Sequence, residues 1–123
     1  MGGQWCTSPG YAYVHESVAE EFVAECKKAV VELYGTDPKS NSDYSRIISP
    51  KAVERLASFI DPSKVVAGGA SDPSVRYIDP TILYPVRWDD PIMADEVFGR
   101  FPSVLDGSQS IRKLPGAGCK SVR

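Results

Sequence analysis

Cys6, in the stretch GGQWCTSPGY over residues 2–11, is the side chain of this protein best suited to do chemistry. A thiolate is a strong nucleophile, but a free thiol is only slightly ionised at neutral pH. Catalysis therefore needs a lowered pKa or an adjacent base. A cysteine in a glycine-bracketed loop can also be a metal ligand or a small buried hydrophobe. Cys6, Cys26 and Cys119 form no CxxC or Cys/His pair at metal-ligand spacing, so no metal is expected. The lone histidine, His15, stands nine residues after Cys6. A Cys/His hydrolase would need the two to meet in space, and the local papain-like signature is absent; His15 reads as a strand-end residue. The AGGA stretch at 67–70 has neither G-x-G-x-x-G nor Walker spacing, and reads as a turn rather than a phosphate loop.

The elements that must position Cys6 are legible in part. Residues 11–15, Tyr-Ala-Tyr-Val-His, are aromatic and β-branched and predict a strand. A helix follows, with Ser17 as N-cap, Glu20 completing a capping box and Gly35 ending the pattern. Its expected buried stripe is Val18, Phe22, Cys26, Val30 and Leu33, which makes Cys26 a packing residue. A second helix is expected from Ser49-Pro50 to Asp61-Pro62, burying Val53, Leu56, Ala57 and Ile60. KVVAGG predicts a short buried strand and a glycine turn. RYIDPTILYPV reads as extended chain at an edge or between elements, because Pro80 and Pro85 interrupt it. Strand, helix, helix, strand predicts an α/β fold with a parallel-type sheet and flanking helices.

Composition narrows the classes. A complete domain of 123 residues buries about two-thirds of the surface its unfolded chain exposes, enough for one core. A net charge of −2 gives no electrostatic reason to expect nucleic acid or anionic membrane as a partner. The apolar runs are too short to span a bilayer, so no membrane segment is expected. Three cysteines without a signal peptide predict a cytoplasmic location. From Gly107 the chain loses apolar periodicity, and Arg112, Lys113, Lys120 and Arg123 are too sparse for a nucleic-acid arm.

Two motifs in register carry a resemblance. GGQWCTSPGY resembles the active-site cysteine segment of the aldehyde dehydrogenase superfamily. About ninety residues later, PIMADEVFG at 91–99 resembles that family's Glu-Ile-Phe-Gly-Pro segment. VHESVAEEFV, DYSRIIS, KVVAGG and YIDPTIL fall between them in the order of the fatty- and aromatic-aldehyde branch. The resemblance implies that Cys6 attacks an aldehyde to give a thiohemiacetal. Hydride then passes to NAD or NADP, and water hydrolyses the thioester to a carboxylic acid. It implies that Glu96 binds the nicotinamide ribose hydroxyls, that Phe98 packs beside the nicotinamide ring, and that such enzymes are homo-oligomers.

The departures shape the remaining expectations. Met1 stands five residues before Cys6, whereas the family's dinucleotide-binding domain, oxyanion asparagine and general-base glutamate precede the cysteine. Arg100 replaces the proline after Phe-Gly. Residues 1–105 are therefore expected to be a truncated, inactive part of the catalytic domain, and 106–123 a divergent, disordered tail. The rivals are a non-catalytic remnant or interaction fragment, and a small cysteine-dependent acyl hydrolase.

Overall fold

The computed structural model describes residues 3–4, 8–95, 97, 99 and 103–107. Strand β1, Tyr11–Val14, leads into helix α1, Glu16–Tyr34, and a loop crosses to helix α2, Pro50–Ala57. Strands β2 (Val65–Ala67), β3 (Ser71–Asp72), β4 (Tyr77–Ile78), β5 (Ile82–Leu83) and β6 (Ser103–Asp106) follow. The main sheet has the order β1-β6-β5-β2, and β3 and β4 form a separate antiparallel ribbon. β6 runs parallel to both β1 and β5, with Ser103 opposite Tyr11 on one side and Leu83 on the other. Only β2 is antiparallel, pairing Val65 with Leu83. The α/β class with mostly parallel pairing thus follows the sequence expectation.

Successive strand residues face opposite sides of a sheet, and here that alternation separates two cores. Leu83 and Leu105 join Ile47, Val53, Leu56, Ile78, Val86, Trp88, Ile92 and Val97 on the α2 side. Their neighbours Ile82 and Val104 point the other way, against Val23 and the half-buried Cys26 and Val30 of α1. On β1 the same rule sends Val14 towards α1, while Tyr11 and Tyr13 pack on Trp88, one edge-on at 5.6 Å and one stacked at 5.8 Å.

Three local expectations are corrected. α1 begins at Glu16, and its N-cap is His15 rather than Ser17: His15 Nδ1 accepts from the Ser17 N–H at 3.2 Å. An imidazole nitrogen offers the same acceptor as a hydroxyl, and the earlier start puts Glu16 at the positive end of the helix dipole. The packed stripe of α1 is Ala19, Val23, Cys26 and Val30, while Val18, Phe22 and Leu33 are exposed. Apolar residues stand on both sides of this helix, so periodicity alone did not fix its phase. The segment Ile82–Leu83 is an inner strand between β6 and β2. Its two prolines do not interfere, because Pro80 and Pro85 lie outside the two paired residues.

α2 starts as expected. Ser49 caps it by accepting from the Ala52 N–H at 3.1 Å, and Pro50 occupies the first turn. Its Val53 and Leu56 are fully buried, but the helix ends at Ala57, four residues short of Asp61. Asp61 instead caps the one-turn 3-10 helix Pro62–Lys64.

Candidate active site

Cys6, Glu96 and Phe98 lie outside the described residues, but the chain on each side of them is firmly placed. Ahead of Cys6, the Gln4 carboxamide makes two hydrogen bonds to a segment more than forty residues away. Its Oε1 accepts from the Ile48 N–H at 2.8 Å, and its Nε2 donates to the Arg46 carbonyl at 3.2 Å. After Cys6, residues 8–10 lead into β1, where Tyr11 is paired with Ser103. The cysteine segment is thus tied at both ends.

The second segment is held the same way. Val97 is buried, and its carbonyl accepts from Arg55 Nη2 of α2 at 2.6 Å. Gly99 lies so close to α2 that a Cβ there would meet Leu56 Cδ1 at 2.7 Å, so only glycine fits without displacing Leu56. A few residues on, the chain enters β6. Because β1 and β6 are parallel neighbours in register, both segments approach the sheet from the same end. Cys6 stands five residues before Tyr11, and Phe98 five residues before its partner Ser103. Antiparallel pairing would have started β1 and β6 at opposite ends of the sheet.

The competing residues are not assembled in this way. His15 follows the far end of β1 and is occupied at the cap of α1, with Ser17 Oγ also 2.8 Å from its Nδ1. Cys26 packs in the α1-side core, where burial pushes its thiol up from the ordinary value and away from thiolate. The AGGA turn uses its N–H groups internally: Gly69 donates to Thr81 Oγ1 and Ala70 to Asp79 Oδ2, each at 3.0 Å. Gly68, with φ of +72°, approaches Pro80 so closely that a Cβ would sit 2.5 Å from its carbonyl oxygen. The turn is structural.

An open cleft of about 580 Å³ lies between the C-terminal end of α1 and the β3–β4 ribbon. Four of its polar lining side chains form two pairs. Lys39 bridges Asp72 at 2.8 Å, and the Tyr77 hydroxyl donates to Asp79. Burial, and then that carboxylate, push the Tyr77 hydroxyl well above its ordinary range. None of Gly3, Gln4, Val97 or Gly99 borders this cleft. Among the described residues no group of three His, Cys, Asp or Glu could hold a metal, and no helix is long and apolar enough to cross a membrane.

Reading the sequence passed over Gln4, Arg55 and Gly99 as positioning residues. Gln4 and Gly99 lie inside the two motifs, but their partners are distant in sequence and only the fold brings them together.

Comparison with known proteins agrees with this arrangement. Residues 1–109 match the model of the aldehyde dehydrogenase family. The bovine dimeric NADP-preferring aldehyde dehydrogenase is 40% identical over 97 residues, covering 79% of this chain and 41% of that relative. The 4,4'-diaponeurosporen-aldehyde dehydrogenase of Staphylococcus aureus is 39% identical over 105 residues, covering 84% of this chain and 23% of that enzyme. The structure of the substrate-bound state of Staphylococcus aureus AldH superposes with a TM-score of 0.84 at 37% identity, covering 91% of this chain and 25% of that one. The chain thus spans between about a quarter and two-fifths of the length of these relatives. The match of residues 1–109 to the family's model, together with relatives at 39–40% identity, places this chain in the aldehyde dehydrogenase family.

Proposed function

We propose that this chain supplies the nucleophile and the nicotinamide-side contacts for NAD- or NADP-dependent oxidation of an aldehyde to a carboxylic acid. Cys6 is the nucleophile, Glu96 the acceptor for the ribose hydroxyls, and Phe98 the wall beside the nicotinamide ring. The observation that carries the reading is the parallel, in-register pairing of β1 with β6, which brings the approach to Cys6 and the approach to Phe98 to the same end of the sheet. The anchored neighbours Val97 and Gly99 fit a dinucleotide's ribose site, since a carboxylate that accepts two hydroxyls needs a fixed backbone.

In this mechanism the Cys6 thiolate adds to the aldehyde carbon, and the carbonyl electron pair moves onto oxygen. The backbone N–H of Cys6 donates to that oxyanion, where preorganised donors have their largest effect. Glu96 and Phe98 would hold a dinucleotide by its ribose and its ring, and its nicotinamide would supply the acceptor for the hydride on this carbon. Water then attacks the Cys6 thioester, the C–S bond breaks to the sulfur, and the acid departs. The protein acts in the cytoplasm and as a homo-oligomer; the bovine relative is itself named a dimeric enzyme.

The test is aldehyde-dependent formation of NADH or NADPH, across a panel of fatty and aromatic aldehydes, by this chain joined to the dinucleotide-binding domain and general base that the family resemblance places before the cysteine. Turnover abolished in Cys6→Ser, with a raised KM for the dinucleotide in Glu96→Gln, is the expected signature. The rival reading, a non-catalytic piece that associates with larger subunits, is marked by absence of turnover together with co-purification in a larger assembly.

A further inference from the structure

The Gln4 carboxamide grips both sides of Ile47, taking the Arg46 carbonyl and the Ile48 N–H. A primary amide carries a donor and an acceptor side by side, so it can satisfy a C=O and an N–H two residues apart as a neighbouring strand would. The segment it grips is itself immobilised. The Ile47 side chain is in the α2-side core, and its N–H donates to the Arg76 carbonyl at 2.9 Å. Nearby, the buried Tyr44 hydroxyl donates to the Ile78 carbonyl at 2.8 Å. Directly after Ile48 comes Ser49, the cap of α2, and α2 carries Arg55 and Leu56, which hold Val97 and Gly99.

Residues 46–56 therefore form one continuous brace. The cysteine segment docks at one end, and the 97–99 segment docks about two helical turns further on, or roughly 12 Å along an eight-residue helix. We propose that Gln4 is a positioning residue: through this brace it sets Cys6 against the 97–99 segment, and the ability of Cys6 to attack a carbonyl depends on it. Gln4 and Cys6 are two residues apart, and two residues of chain reach at most about 7 Å, so a fixed Gln4 confines the cysteine. Ile48 is 78% exposed, so water can replace the lost amide partner when Gln4 is truncated. The grip therefore matters more to position than to folding. This inference rests on the reading of Cys6 as nucleophile and deepens it.

The experiment compares two reactions of Cys6 in the full chain. p-Nitrophenyl acetate acylates a thiolate: the thioester bond forms, the ester C–O bond breaks and p-nitrophenolate leaves. Iodoacetamide alkylates the same thiolate with loss of iodide but forms no oxyanion, so it reports access and ionisation without the geometry of carbonyl attack. Both products are mapped after cleavage at glutamate, which separates Cys6 from Cys26. In Gln4→Leu, acylation of Cys6 is expected to fall about tenfold while its alkylation does not fall, and labelling of Cys26 and the thermal midpoint stay as in wild type. Gln4→Asn, which keeps the amide on a shorter arm, should recover part of the loss. Wild-type acylation rates at Cys6 in Gln4→Leu would overturn the inference. So would a loss shared by Cys26, because that would be unfolding. Slow acylation of Cys6 in the wild type, no faster than Cys26, would instead overturn the nucleophile reading on which the inference rests.

Discussion

The two helices of this chain do opposite amounts of work for their length. α1 has nineteen residues and fully buries two of them, Ala19 and Val23, while leaving Val18, Phe22, Val31 and Leu33 exposed. α2 has eight residues, buries Val53 and Leu56 completely, and holds the 97–99 segment through Arg55 and Leu56. Among the described residues the α2-side core contains ten buried residues against three on the α1 side, and Gln4, Val97 and Gly99 all bond to or pack on the segment 46–56. Side chains on the better-packed face have little freedom to shift, which suits the site proposed for Cys6.

The largest predicted effect breaks the α2 face. Leu56→Ala opens a cavity beside Gly99 in the fully buried core and should cost about 2–5 kcal/mol. Leu33→Ala on α1, where the side chain is 69% exposed, should stay within about 0.5 kcal/mol. Urea unfolding of the two variants gives the ratio directly. Comparable losses would mean that α1 packs as tightly as α2.

An intermediate effect is expected at the start of α2. Ser49→Ala removes the acceptor for the Ala52 N–H and should cost about 1 kcal/mol. Because Ser49 directly follows the Gln4-bound segment, hydrogen exchange at Ile48 should rise with it. An unchanged Ile48 amide would separate the helix cap from the brace.

How much of this was legible beforehand follows from the range of each interaction. The start of α2 could be read because Ser49 and Pro50 act within one turn, and the Gly68–Gly69 turn because glycine tolerates positive φ. The phase of α1 could not, since Val18, Phe22 and Leu33 are as apolar as the residues that are buried, and only the sheet beneath selects the packed side. The flanking prolines suggest extended chain at an edge or between elements, whereas β5 is an inner strand, because neither proline falls within its pairing. Of the candidate site, the two motifs can be read in sequence, and their residues Cys6, Glu96 and Phe98 lie outside the described residues. The Gln4 grip and the Arg55–Val97 bond cannot be read there, since each joins residues about forty positions apart. The expected tail from Gly107 falls almost wholly outside the described residues.

The smallest effect belongs to the cleft beside α1. Asp72 is held down from 3.8 to about 2, first by the hydrogen bond from Lys39 and then by that from Ser74. A depressed carboxylate adds stability above its unfolded pKa and loses it as pH falls through the folded value. Wild type should therefore lose slightly more stability than Asp72→Asn between pH 4 and pH 2, read as a small difference in urea midpoint. An exposed ion pair of this kind contributes little. A large difference would show that the α1 side is braced by charge where it lacks packing.

Parallel pairing of β1 with β6 supports the proposal that Cys6 and Phe98 work side by side at one end of these strands. Parallel strands lie about 4.8 Å apart, so thiols leading into them should be bridged by a short bifunctional maleimide of about 10 Å reach, longer than that spacing. The direct measurement is peptide mapping of the Phe98→Cys variant after treatment with that reagent at high dilution. The account predicts an intramolecular bridge from Cys6 to the introduced thiol as the dominant product, diminished when Gln4→Leu is added. Bridging of the introduced thiol to Cys26 or Cys119 in preference to Cys6 would contradict it.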